Sequence, residues 1–174
     1  MIRVLGVLLL LAGVAGCAPP PTNAAMVPEV LPVGAPAPAY RDAVTLGSVV
    51  PGSDGGAPWT SAVGPDQVRE ALARTLAAAG LAAGGSGRYR LDATLLTLGR
   101  PYAGFAMSVT AAIAYRLTEA ATGRVVYEKT VTGLVDASLD DAITNENRLR
   151  IADQRAVRDN LRQLLQDLSV LPGR

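Results

Sequence analysis

The stretch MSVTAAIAYRLTEAATGRVVYEKTVTG, residues 107–133, contains two segments of alternating hydrophobicity separated by a short loop. Alternation with a period of two places successive side chains on opposite faces of a sheet. The small residues of Ala120–Gly123 suit a turn between the segments, so the stretch predicts a β-hairpin. The longer strand has one apolar face, formed by Phe105, Met107, Val109, Ala111, Ile113, Tyr115 and Leu117, and one small or polar face, formed by Ser108, Thr110, Ala112, Ala114 and Arg116.

Two further strands are predicted before this hairpin. YRLDATLLTL, residues 89–98, alternates in the same way and ends at a Gly-Arg-Pro turn. Residues 43–50 form another apolar run, which Pro51 and a glycine-rich cluster end. Residues 81–87 are Ala, Gly and Ser and are expected to form a loop.

Two helices complete the pattern. VREALARTLAAAGL, residues 68–81, repeats apolar residues at helical spacing between Pro65, which suits a first helical turn, and Gly80, which suits a helix end. RAVRDNLRQLLQDL, residues 155–168, lies within a second helix predicted from Asn145 to Ser169. The order β-α-β-β-β-α predicts an α+β fold, a two-layer sandwich in which both helices cover one face of a four-stranded, mostly antiparallel sheet.

The N-terminus has the pattern of an export signal. Arg3 precedes an apolar run from Val4 to Ala15, which is short for a helix that crosses a bilayer permanently. The run ends in Val14-Ala15-Gly16-Cys17, which resembles the lipobox of bacterial lipoproteins. That resemblance implies cleavage after Gly16, diacylation of the Cys17 sulfur and acylation of the new amine. Two or more acyl chains would make the anchor effectively permanent. The alternatives are an ordinary secretory signal with an incidental cysteine, or a small cysteine buried in a core.

The resemblance also implies a destination. In lipoproteins of this kind an Asp after the lipidated Cys often means retention at the inner membrane, and Ala18 stands there instead. The periplasmic face of the outer membrane is therefore expected. Residues 1–16 are predicted to be the signal peptide, 17–41 the lipidated Cys with a tether rich in Pro and Ala, and 42–171 the folded domain. In polyproline II conformation the tether would reach up to roughly 75 Å.

The composition argues against several classes of function. The chain has 174 residues, no His and one Cys, so it lacks the commonest general base and cannot form an internal disulfide. Signal removal takes Arg3, one of 16 basic side chains, and none of the 15 acidic ones, so the mature chain is neutral. A nucleic-acid partner is not expected from such a balance. We expect no catalytic residue, no cofactor and no metal, and therefore no enzyme.

Three acidic residues and one lysine are further candidates for chemistry. Asp136, Asp140 and Asp141 could approach a cation, but favourable charge at the start of the last helix explains them more simply. Lys129 is expected at the surface beside Glu128, so we do not expect it to act as a base that activates a serine. The residues expected to contact a partner are Trp59, Arg100, Tyr102, Ser108 and Thr110, which combine loop aromatics and Arg with the polar face of the hairpin.

The lipobox, the tether, the quoted segments and the terminal helix together resemble small outer-membrane lipoproteins of the YajG type. They are similar in turn to a broader group that includes LptE and the auxiliary lipoproteins of lipid-transport ABC systems. The chain departs from LptE because Ala18-Pro19-Pro20-Pro21 stands where LptE has a Gly-Phe-x-Pro-Leu-Tyr run. The resemblance implies a non-enzymatic partner protein and supplies no catalytic residue.

The expected function is therefore that of a lipid-anchored periplasmic accessory protein, which acts through protein or lipid contact in envelope biogenesis or lipid transport. It would be held in the membrane by its acyl chains and would bind an envelope protein whose identity the sequence leaves open, as it does the oligomeric state. A regulator of peptidoglycan synthesis is an alternative, although such proteins need reach and the tether is short. An enzyme of lipid or sugar metabolism is a further alternative, disfavoured by the lack of an evident acid or base.

Overall fold

The computed structural model describes residues 23–29, 37–52, 63–99, 107–137 and 145–173. Two short 3-10 turns, Ala24–Met26 and Pro38–Tyr40, precede the main elements. Those elements are β1 (Val44–Pro51), α1 (Pro65–Ala78), β2 (Tyr89–Gly99), β3 (Met107–Glu119), β4 (Val125–Ala137) and α2 (Asn145–Ser169). The N-terminal pattern up to Pro21, with Gly16 and Cys17, lies outside the described ranges, as do Trp59, Arg100, Tyr102, Phe105, Asp140 and Asp141.

The four described strands form one sheet in the order β1-β2-β3-β4. β1 pairs with β2 in parallel, and the other two pairs are antiparallel. The helix α1 connects the parallel pair, as a parallel connection requires a crossover. α1 packs on β1, α2 packs on β3 and β4, and the two helices contact each other. The predicted β-α-β-β-β-α sandwich is therefore confirmed.

The alternation in β3 decides which side of the sheet is buried. Its odd-numbered residues from Val109 to Leu117 are no more than 1 % exposed and face the helices. Its partner β4 extends beyond the quoted stretch 107–133, because pairing with β3 continues to Ala137. Other fully buried side chains of the core, contributed by α1, β2 and α2, are Val68, Leu72, Leu91, Leu161 and Leu164.

Helix α2 comes unusually close to β4 at Gly133. A Cβ atom at that position would lie 2.7 Å from the backbone nitrogen of Asn160 and against the carbonyl oxygen of Ala156. Only glycine leaves room for this approach. Asn160 is fully buried there, and its side-chain amide donates to the carbonyl oxygens of Ala111 and Val131 at 2.9 and 2.7 Å. The helix is thus fixed to both strands of the hairpin, β3 and β4.

The segment of residues 23–29 packs on the helices. Met26 is 0 % exposed within the core, Pro28 is buried, and the Asn23 amide donates to the Glu70 carboxylate on α1. The segment contacts α2 as well as α1. The pattern of Pro and Ala assigned these residues to the tether, but burial of the Met26 side chain makes the segment part of the folded domain.

Residues at the end of the predicted tether also join the core. Tyr40 is 5 % exposed, its ring centroid lies 4.9 Å from that of Tyr89, and its hydroxyl donates to the carbonyl oxygen of Pro172 at 3.1 Å. This contact brings the N-terminal and C-terminal ends of the domain together. No helix within the described residues combines the length and the hydropathy needed to cross a membrane.

Candidate functional site

The sheet face turned away from the helices is the first candidate site, and we call it the open face. Alternation and register place on it the even-numbered residues of β3 and β4. Its middle consists of small side chains, since Ala114 lies opposite Thr130 and Ala112 opposite Thr132. β2 adds Thr94 and Thr97 beside them. The result is a flat surface with few protruding groups.

The predicted contact residues Ser108 and Thr110 lie together at one end of the open face. The Ser108 hydroxyl donates to the carboxylate of Asp136, directly across on β4. Thr110 lies opposite Leu134, whose side chain is 62 % exposed. The structure therefore brings these two predicted residues next to an exposed apolar side chain, Leu134, that was not predicted as a contact residue. Trp59, Arg100 and Tyr102 fall outside the described residues.

The other end of the open face is charged and internally paired. Arg116 on β3 and Glu128 on β4 form an ion pair across the strands at 2.9 Å. On β2 the Arg90 guanidinium pairs with Asp92 at 2.9 Å, and Asp92 also accepts hydrogen bonds from the Ser48 backbone and hydroxyl at 2.7 Å. Burial acts to raise the pKa of Asp92, but the bonds from Arg90 and Ser48 outweigh it, and the pKa lies below its usual range.

Lys129 is exposed, as expected, but its partner differs from the prediction. Adjacent strand residues point to opposite faces, so Glu128 lies on the open face and Lys129 on the helix side. The Lys129 ammonium pairs with Asp167 on α2 at 2.9 Å. The Tyr127 hydroxyl donates to the same carboxylate at 2.8 Å, and burial together with this bond raises the Tyr127 pKa.

The predicted acidic cluster is only partly within the described residues. Asp136 lies within the described residues and accepts a hydrogen bond from the Ser108 hydroxyl. Asp140 and Asp141 lie outside the described residues. In the part of the chain that the structure describes, no three His, Cys, Asp or Glu side chains are grouped closely enough to hold a metal ion.

A charged group closes the hairpin end of the sheet. Glu119, at the end of β3, is 8 % exposed and accepts hydrogen bonds from Arg88 at 2.8 Å, Thr122 at 2.8 Å and Arg124 at 3.3 Å. These donors, Arg88 foremost, lower the pKa of the Glu119 carboxyl to about 2. The arrangement ties the β3–β4 turn to the residue before β2, which is a structural role.

The second candidate site is a cleft of about 400 Å³ on the other side of the molecule, beside α2. We call it the arginine cleft. Its walls come from the end of the segment 23–29, from β4 and from one stripe of α2. The residues lining it are Pro28, Glu29, Val135, Arg155, Arg158, Asp159 and Arg162.

These arginines were not among the residues predicted from the sequence to contact a partner. Their spacing of three and then four residues does put them on one helical stripe, which is a signal that the sequence contains. The opposite wall of the cleft was not predicted, because Pro28 and Glu29 were assigned to a tether. Only packing of Met26 into the core brings that wall to α2.

The charges of the arginine cleft are unequally satisfied. Arg162 forms an ion pair with Asp159, which also accepts a hydrogen bond from the Gln163 amide at 2.8 Å. Arg158 has no ion-pair partner among the described residues. The Glu29 side chain across the cleft is exposed. The cleft therefore has a positive balance, three guanidinium groups against two carboxylates.

No family model and no curated protein matches the chain. A Xanthomonas campestris protein of the family model DUF330 is similar in structure, with a TM-score of 0.58, 17% identity, and coverage of 83% of this chain and 94% of that chain. A candidate lipoprotein from Caulobacter crescentus gives a TM-score of 0.50 at 13% identity, covering 85% and 92%.

A variant of PelC from Paraburkholderia phytofirmans, crystallised as a dodecamer, is also similar. Its TM-score is 0.50 at 17% identity, and the match covers 78% of this chain and 94% of that chain. At these identities the likeness concerns the fold alone. The chain thus has a bacterial lipoprotein-like fold, and the finer resemblance to the YajG type and to LptE stays a prediction.

Proposed function

We propose that this protein is a lipid-anchored periplasmic accessory protein of the bacterial outer membrane. In this proposal it acts without catalysis, through protein or lipid contact in envelope biogenesis or lipid transport. The N-terminal pattern that ends at Cys17 supports the anchor. The fold supports the same class of protein, because the Caulobacter crescentus neighbour is a candidate lipoprotein.

The observation that carries the proposal is the open face of the sheet. Both helices cover the opposite side, while the open face has a flat centre of Ala and Thr and an exposed Leu134 at one end. A flat surface of small side chains lets a partner backbone approach closely, and an exposed apolar side chain can anchor it. We place the contact at Ser108, Thr110 and Leu134.

The chemistry of the open face supports contact more than catalysis. The carboxylates described there are already engaged, Asp92 by Arg90, Glu128 by Arg116 and Asp136 by Ser108. The sequence contains no His to act as a general base. A binding surface is therefore the simpler proposal.

The packing of residues 23–29 weighs against the alternative of a peptidoglycan-synthesis regulator, which needs reach. Six residue steps separate Cys17 from Asn23, and an extended chain spans about 20 Å over that number. This is far less than the roughly 75 Å expected of a tether that ends at residue 41. The domain of an anchored chain would stay near the membrane surface.

The test is photo-crosslinking in the native envelope with benzoylphenylalanine at position 134. Ala78, exposed at the end of α1, is the matched control position. We expect an envelope component, identified by mass spectrometry, to be captured from position 134 and not from 78, and to be lost when Cys17→Ala prevents lipidation. Equal capture from both positions would contradict the contact surface. Because the PelC neighbour is a dodecamer, crosslinks between copies of this chain are scored separately.

Anchoring is tested independently by labelling cells with a radioactive palmitate and separating inner from outer membranes. We expect label on the native chain in the outer-membrane fraction and none on the Cys17→Ala chain. An unlabelled native chain would refute lipidation, and a labelled chain in the inner membrane would refute the destination.

A further inference from the structure

The arginine cleft has the size and charge of a site for a small anion. Its volume of about 400 Å³ lies within the range typical of small-ligand pockets. Arg155, Arg158 and Arg162 are partly buried and present guanidinium groups to one space. Guanidinium groups offer paired N–H donors that match the oxygens of a phosphate group.

The charge that this cleft leaves unmatched is that of Arg158. Asp159 is held by Arg162 and Gln163, whereas the described residues supply Arg158 with no ion pair. A partly buried cation without a partner favours an anion that can reach it. The apolar walls, Pro28 and Val135, suit the non-polar part of such a ligand.

The position of the cleft along the chain suggests where the anion comes from. Its wall at Pro28 and Glu29 belongs to the segment that starts at Asn23, six residue steps after Cys17. This step rests on the proposed function, because it takes Cys17 as the lipid anchor. An extended chain would keep Asn23 within about 20 Å of the bilayer surface. Phosphate groups of lipid headgroups are the anions concentrated there.

We propose that the arginine cleft binds the phosphate group of an anionic phospholipid headgroup, with Arg158 as its main donor. Arg155 and Arg162 complete the positive surface, and Pro28 and Val135 contact carbon atoms of the adjoining glycerol portion. The lipid chain on Cys17 then holds the domain at the membrane while the cleft fixes which side of it faces the bilayer.

The test uses the mature chain, residues 17–174, with Cys17→Ala, so that binding cannot come from acylation. Co-flotation is measured with vesicles of phosphatidylglycerol mixed with phosphatidylcholine, and with vesicles of phosphatidylcholine alone. Arg158→Gln is compared with Arg150→Gln, which removes an exposed charge from the same helix outside the cleft. We expect Arg158→Gln to weaken binding to the anionic vesicles about fivefold and Arg150→Gln to leave it nearly unchanged.

A second variant should change binding to anionic vesicles in the opposite direction. Asp159→Asn removes a carboxylate that competes for the arginines while keeping a side chain of the same shape, so it should strengthen binding to anionic vesicles. Equal loss in Arg158→Gln and Arg150→Gln, or equal binding to both kinds of vesicle, would overturn the proposal. Binding of inorganic phosphate without binding to vesicles would also overturn it, since the source would then be a soluble anion.

Failure of this proposal is distinguishable from failure of the proposed function. Palmitate labelling reports on Cys17 and does not involve the cleft, while flotation of the Cys17→Ala chain reports on the cleft and does not involve acylation. Labelled Cys17 with no dependence on Arg158 would refute the cleft alone.

Discussion

Tyr115 on β3 donates its hydroxyl to the side-chain oxygen of Asn160 on α2 at 2.7 Å, and both side chains are buried. The same Asn160 amide bonds the carbonyl oxygens of Ala111 and Val131. Burial raises the pKa of Tyr115 well above its usual value, so its hydroxyl stays protonated and a donor. One side chain therefore fixes the longest helix to both strands of the hairpin.

Asn160→Ala should destabilise the domain by about 2–4 kcal/mol, because it leaves three buried polar groups without their partner. The free energy of unfolding is measured by urea denaturation. Gln166→Ala, exposed on the same helix, is the control and should change stability by less than about 0.5 kcal/mol. Equal effects of the two substitutions would mean that water or a shifted helix replaces the Asn160 bonds.

Gly133→Ala should destabilise by about 1–3 kcal/mol, because the added methyl group meets the backbone of Ala156 and Asn160 and must push α2 off the sheet. Gly85→Ala introduces the same methyl group where nothing lies within 4 Å. Thermal unfolding of the two variants separates local crowding from the general effect of replacing a glycine. A variant at 133 as stable as that at 85 would contradict the close approach.

Met26→Ala should cost about 2–4 kcal/mol, the range for removing most of a buried side chain. The same substitution in a flexible tether would change the free energy of unfolding by almost nothing. The control is Val170→Ala, which shortens a side chain that is 78 % exposed. If urea denaturation gives both variants the stability of the native chain, residues 23–29 do not belong to the folded domain.

Glu119 should make the stability depend on pH. Its pKa in the folded chain is about 2, below that of an ordinary glutamate, so its contribution is present above about pH 4.3 and is lost as pH falls towards 2. Glu119→Gln should therefore flatten the fall in urea midpoint between these values. Glu128→Gln, which removes an exposed carboxylate paired with Arg116, is the comparison. Equal flattening by both variants would refute a special role for Glu119.

Much of the fold follows from periodicity. The alternation from Val109 to Leu117 predicted the buried face of β3, and the helix predicted from Asn145 to Ser169 has the ends that α2 shows. Both segments are long, and each buries many side chains at regular spacing. The type of element and its buried face are therefore determined by many residues at once. The end of β4 was not predicted, because Gly133 interrupts the alternation of apolar and polar residues. In the structure, the missing side chain of Gly133 leaves room for the backbone of α2.

The candidate sites were less predictable, because they depend on which elements meet. Ser108 and Thr110 could be placed on the open face from alternation, but the exposure of Leu134 depends on β4 extending past Thr132. The partner of Lys129 depends on α2 lying over β4, which puts Asp167 within reach. The burial of Met26 was not predicted, because its neighbours are rich in Pro and Ala. The arginine cleft was not predicted either, because one of its walls depends on that burial.

The contacts of residues 23–29 also determine how the domain carries a mechanical load. A pull on the N-terminus is transmitted through Met26 and Asn23 to α2 and α1, since the segment packs on both helices. Tension at the N-terminal end would therefore act first on the helical layer that these contacts join.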